Sequence, residues 1–112
     1  MSDIQELIEA LKQFRDERDW EQFHDSKNLA TAISIEAAEL NELFLWKTIK
    51  ESEEVDKEKL KEELADIIAY TLLLANKHNF DVKQMVLDKI KKNGEKYPVD
   101  KAKSNAKKYN EL

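Results

Sequence analysis

A chain of 112 residues with one glycine, Gly94, and one proline, Pro98, lacks the turn chemistry that hairpins and strand crossovers need. Ordinary usage is ~7% and ~5%. Sheet-rich folds are disfavoured, and the expectation is an all-α chain of one domain. The apolar pattern agrees. Ile4, Leu7, Ile8, Leu11 and Phe14 recur at helical spacing and predict a helix over about 4–18, begun at Ser2 or Asp3. Leu29, Ile33, Glu36, Leu40 and Leu43 form the seam of a second helix over about 27–50, with Ser26 as its N-cap. A third, over about 57–78 behind Asp56, carries Leu60, Glu63, Ile67, Tyr70 and Leu74. Asp81 caps a fourth over about 82–93, with Gln84 placed as in a capping box, and Gly94 and then Pro98 mark its end. Four such helices imply a four-helix-bundle-like arrangement. Between them, 19–25 reads as a bend and 51–56 as an irregular acidic connector.

With no cysteine, a disulfide framework, a thiolate metal site and a thiol nucleophile are all excluded. No stretch approaches the ~20 apolar residues of a membrane span, and Met1-Ser2-Asp3 does not open a signal peptide. A cytoplasmic protein without a membrane partner is expected. Residues 1–88 carry 11 Lys/Arg against 21 Asp/Glu, which argues against a nucleic-acid polymer as partner. Residues 89–108 reverse this, with 8 Lys against 2 acids.

Two seam positions hold carboxylates where leucines are expected. Glu36 with Glu39, and Glu63 with Asp66, are each three residues apart and therefore neighbours on a helix, a like-charge arrangement that is unfavourable even in water. In an apolar seam such groups must take up a proton or find a cation. An all-oxygen donor set suits Mg²⁺, with Mn²⁺ as a substitute, and Mg²⁺ sites of this kind commonly complete themselves with substrate phosphates and water. The alternative for any one such pair is a solvated acidic face.

The order Glu36-x-x-Glu39, then Glu63-x-x-Asp66 after 23 intervening residues, resembles the signature of the MazG-like all-α NTP pyrophosphohydrolases. Further blocks are similar to the dCTP pyrophosphatase branch of that superfamily: 15–24, 27–30, 43–47, 62–67, Asp88-Lys89-Ile90-x-Lys92-Asn93, Lys96-Tyr97-Pro98 and 107–112. The resemblance implies a MazG fold with an oligomeric core, a tetramer favoured over a dimer, and hydrolysis of a nucleoside triphosphate to the monophosphate and pyrophosphate. A cytosine deoxynucleotide such as dCTP is the implied substrate, and nucleotide-pool housekeeping the implied role. It makes Glu36, Glu39, Glu63 and Asp66 the metal ligands and catalytic groups. The domain would span 1–98, with 99–112 a polar tail contributing to the substrate site. Ser26-Lys27 stands where the family often has Pro-Arg, a departure that bears on substrate preference.

Substrate-binding candidates follow. Lys89, Lys92, Asn93 and Lys96 would clamp the outer phosphates, with Tyr97 adding a hydroxyl; a solvated basic face is the alternative. Trp20 and Trp46 are candidates to sandwich a base, against plain packing, and His24 or Asn28 to read a cytosine edge. Tyr70, one turn beyond Asp66, would hold a phosphate or a ligating carboxylate, or fill the seam. Ile68, Leu72 and Leu73 lie off the seam of the third helix and call for cover by another subunit. Two other functions compete: a non-enzymatic helical interaction module, and a metal hydrolase of another phosphorylated nucleotide.

Overall fold

Side-chain caps begin five of the six α-helices of the computed structural model, which describes residues 1–112. The chain is all-helical, without a strand. Its contacts divide it into two compact units, Met1–Phe80 and Asp81–Leu112.

In the first unit, α1 (Asp3–Glu17) opens with a closed capping box, Gln5 N–H on Ser2 Oγ at 3.2 Å and Ser2 N–H on Gln5 Oε1 at 3.3 Å. It ends in a Schellman motif. Asp19 takes the left-handed conformation (φ 54°) while the Trp20 and Asp19 amides donate to Arg15 and Asp16 carbonyls at 3.0 Å each. A 3₁₀ turn at Glu21–Phe23 leads to α2 (Ser26–Glu42). Its N-cap is Asp25, not Ser26: the Asp25 carboxylate accepts the Asn28 N–H at 2.7 Å.

The second predicted helix stops eight residues before the expected end at 50. Thr48 and Glu51 close a reciprocal capping box (3.1 and 2.9 Å) and start a separate helix, α3 (Ile49–Ser52), across the expected junction of that helix with the connector at 51–56. A new N-cap requires extended backbone at Thr48 (ψ 168°), so α2 cannot run through it. The intervening turn places Trp46 at φ 63°.

Asp56 caps α4 (Lys57–Lys77), accepting from the Glu58 and Lys59 amides, and Asn79 (φ 59°) closes α4 with a second Schellman motif. α4 packs against both α2 and α1. The α2–α4 pair is antiparallel: Ser26 Oγ lies 2.8 Å from His78 Nε2 at one end, and Leu43 and Lys59 line a common cavity at the other. The core holds Leu29, Val55, Leu72, Leu73 and Ala75. Leu72 and Leu73, expected to need another subunit, are only 4% and 7% exposed, because α4 is flanked on two sides within the unit. Ile68 remains open, at 53%.

In the second unit, α5 (Val82–Lys96) runs through Gly94 and ends before Pro98, three residues beyond the expected 93. Gly94 has no positive φ, so it makes no left-handed cap, and proline stops the helix by restricting the residue before it. Asp81 accepts the Gln84 N–H at 3.0 Å, but the Gln84 amide turns to Asp88 at 2.8 Å and leaves the box open. After α6 (Val99–Ala102), the chain returns to the end of α5: Tyr109, in a closing 3₁₀ turn, meets Tyr97 edge-on at 6.1 Å.

Candidate functional site

The antiparallel α2–α4 register sets Glu36 opposite Glu63, and one oxygen from each of Glu36, Glu39 and Glu63 lies within 4.8 Å of the others. Glu36 and Glu63 are half-buried and Glu39 is exposed. The Oε2 atoms of Glu36 and Glu63 are both buried and without a hydrogen-bond partner. Burial pushes the Glu36 carboxyl up to about 7, and the Glu39 carboxyl, as hydrogen-bond partner and as charge, adds to the rise ahead of Asp66 and Glu63. Glu63 is raised as well, first by burial and then by the Glu39 charge. Two orphaned buried carboxylate oxygens are a standing electrostatic cost that a proton or a cation relieves. The oxygen-only donor set fits a hard divalent cation.

Asp66, one turn after Glu63, is exposed and outside this trio, although its charge raises Glu36, Glu63 and Tyr70. It also lines a cavity of ≈ 260 Å³ whose other walls include Phe14, Arg15, Trp20, His24 and Tyr70. That cavity therefore adjoins the carboxylates. Its aromatic wall is built locally: Trp20 is the residue after the left-handed Asp19, and the Schellman turn folds its ring edge-on against Phe14 at 5.9 Å. The Arg18 guanidinium covers the Phe14 ring at 3.6 Å.

His24 closes the cavity from the end of the 3₁₀ turn, its ring edge-on to Tyr70 at 6.4 Å and its Nδ1 buried without a partner. Burial, then the nearby Arg15 charge, lowers its pKa, so the imidazole is neutral at pH 7. Tyr70 is raised by burial and then by Glu36, Asp66 and Glu39, which keeps its phenol protonated and able to donate.

The structure does not bring every sequence candidate here. Asn28 spends its amide on the Phe23 carbonyl at 3.0 Å, so it fixes the turn before α2. Trp46 is 92% exposed and lines none of this cavity, so the two tryptophans do not form a sandwich within the chain. Within the second unit, Lys89, Lys92, Asn93 and Lys96 are exposed along α5, Tyr97 is its C-cap, and Lys96 Nζ lies 4.8 Å from the Tyr109 ring centroid. Phe14 and Arg15 are wall residues that the sequence reading passed over. Phe14 fitted the apolar stripe of α1 too well to suggest a ligand, and Arg15 stood out only as a letter of a motif.

The chain is similar to dCTP pyrophosphatase 1 of Homo sapiens, at 41% identity over 97% of this chain and 67% of that protein. Similarity to dCTP pyrophosphatase 1 of Mus musculus is 39% over the same shares. Among solved structures, the fold matches a pyrophosphatase from Archaeoglobus fulgidus with a TM-score of 0.83 and 40% identity, covering 88% of this chain and 94% of that one. The MazG-like family model matches residues 31–112, a span that contains all four carboxylates of the two pairs. The chain belongs to the MazG-like family.

Proposed function

We propose that this protein is a Mg²⁺-dependent nucleoside triphosphate pyrophosphohydrolase that converts dCTP, or a related cytosine deoxynucleotide, to the monophosphate and pyrophosphate. The observation that carries this reading is the pair of buried, partnerless oxygens on Glu36 and Glu63 within a three-carboxylate cluster. The names of the relatives, dCTP pyrophosphatase 1 and a pyrophosphatase, supply the reaction and the base.

Glu36, Glu39, Glu63 and Asp66 would hold Mg²⁺, or Mn²⁺ in its place. The cation, when bound, supplies neutralisation of the triphosphate charge and acidity toward the attacking water. Glu39, the exposed member of the trio, is the carboxylate able to take a proton from that water as it attacks the α-phosphorus and pyrophosphate leaves. Tyr70 donates its phenolic hydrogen to a phosphate oxygen or to a ligating carboxylate. Trp20 and Phe14 offer ring surface to the base, with the neutral His24 at its edge. Lys89, Lys92, Lys96, Asn93 and Tyr97 take the outer phosphates, and the exposed Trp46 keeps a place among the base-stacking residues. Residues 1–98 are the hydrolase domain, to which 99–112 contribute as a substrate-binding tail.

The protein acts as a homo-oligomer, a tetramer rather than a dimer, in the cytoplasm and on free nucleotides rather than a nucleic-acid polymer. Exposed Leu64 and Ile68, four residues apart on one face of α4, support assembly. No helix is long and apolar enough to cross a membrane. The test is turnover of each common and modified dNTP with Mg²⁺, with products resolved by phosphorus NMR. Expected is pyrophosphate with the monophosphate, fastest from a cytosine deoxynucleotide; orthophosphate as the first product, or no turnover of any nucleotide, contradicts the proposal.

A further inference from the structure

A second cavity shares Arg15, His24 and Leu73 with the aromatic one and is lined by none of Glu36, Glu39, Glu63 and Asp66. It measures ≈ 330 Å³, at the lower end of the ~300–1,000 Å³ range of ligand pockets. Its polar walls are contributed by Lys12 and Arg15 of α1, Asn76 and Lys77 of α4, and Glu21 and His24 of the intervening turn, and Leu29 and Leu73 complete the lining.

The gathering of charge there runs against the composition of the unit that builds it. Residues 1–80 carry 10 Lys/Arg against 19 Asp/Glu, yet three of those ten cations, on two different helices, surround one concavity with a single carboxylate among its walls. Like charges brought together in a concave, partly desolvated site raise each other's energy and focus a positive potential into it. The existing partners offset part of this charge and leave Lys77 free of any. Lys12 meets Glu9 at 3.6 Å on the exposed surface of α1, and Lys77 has no carboxylate within bridging distance. Arg15 is the anchored member, its side chain 13% exposed, with Nε on Asp16 at 2.8 Å and Nη2 only loosely approached by Glu21 at 3.8 Å. Asn76 adds an amide that can donate beside the three cations.

We propose that this cavity is a second, metal-independent site for a small phosphate-bearing anion, held by Lys12, Arg15 and Lys77 with Asn76. Its donors are ammonium and guanidinium groups, whereas the cluster of Glu36, Glu39 and Glu63 repels a free anion, so the two sites separate by chemistry. The shared wall of Arg15 and His24 couples them. An anion that draws the Arg15 guanidinium toward itself alters the polar side of the aromatic cavity, and Trp20, which lines that cavity, reports the change.

The test uses the full chain in EDTA, so that no divalent cation bridges an anion to the carboxylates. Pyrophosphate, orthophosphate and dCMP are titrated separately by calorimetry against wild type and the Lys12→Gln/Lys77→Gln double variant, and by fluorescence in a Trp46→Phe background that leaves Trp20 as the only tryptophan. Expected is saturable binding by wild type that weakens as salt rises, a loss of about tenfold or more in the double variant, and recovery in Lys12→Arg/Lys77→Arg. Tighter binding of pyrophosphate or orthophosphate than of dCMP identifies an inorganic anion as the ligand; the reverse identifies a nucleotide phosphate. Unchanged circular dichroism shows that the glutamine variant is folded, and should it unfold, the titration of wild type against the arginine pair and against salt still decides. No saturable binding to wild type, or equal binding by wild type and the folded glutamine variant, overturns the proposal.

Discussion

Glu36 is held near 7 against an ordinary carboxylate value of 4.5, and this makes the charge cluster visible in the stability of the metal-free protein. A carboxyl whose folded pKa is raised contributes stability that is fully present below the unfolded pKa. That contribution is lost as pH rises through the window from 4.5 to about 7. Glu63 is shifted in the same direction. His24 acts oppositely, since its lowered pKa favours the folded state as pH rises, so a single melting curve would mix the two. Comparison with Glu36→Gln separates them: in EDTA the thermal midpoint of wild type should drop more between about pH 5 and about pH 7.5 than that of the variant, and added Mg²⁺ should reduce the difference. Parallel pH profiles would show that Glu36 is not buried against its neighbours. The position of these glutamates was legible because a carboxylate in an apolar seam breaks the periodicity. The aromatic cavity was not, because Phe14 obeys that periodicity and the Schellman turn that aims Trp20 at it depends on Asp19 taking a left-handed conformation.

The long helices stand near where their apolar spacing placed them, and the errors fall at the ends, where side-chain caps compete with periodicity. The second helix reads as running to about 50, but the Thr48–Glu51 capping box lies across that expected end and starts another helix. The same box strands Trp46 in a turn away from Trp20. At α5 the opposite holds: Gly94 reads as a terminator, yet it sits within the helix. A Cβ added there meets nothing within 4 Å and the φ is ordinary, so alanine brings only the gain from a less flexible unfolded chain. Gly94→Ala should stabilise α5 by about 0.5–1 kcal/mol, seen as a raised thermal midpoint or slower amide exchange in Val82–Lys96; a lowered midpoint would show that Gly94 has a role beyond the helix backbone.

For the whole molecule, the near absence of glycine and proline was enough to indicate an all-helical chain, because every helix with a side-chain cap is begun by Ser, Thr or Asp. How α4 divides its faces could not be read from one seam. Leu72 and Leu73 turn inward because α1 covers a second side of α4, which leaves Leu64 and Ile68 as its large exposed apolar residues. If that face joins copies of the chain, Ile68→Glu should shift wild-type assembly toward smaller species by light scattering. An unchanged mass would place the interface elsewhere. If the facing glutamates of α2 and α4 serve Mg²⁺-dependent phosphoryl chemistry, pyrophosphate release from dCTP against Mg²⁺ concentration separates wild type from Glu63→Gln. Expected is Mg²⁺-dependent release by wild type and none by the variant, with the helical circular dichroism of the two superimposable; release by Glu63→Gln at the wild-type rate would contradict it.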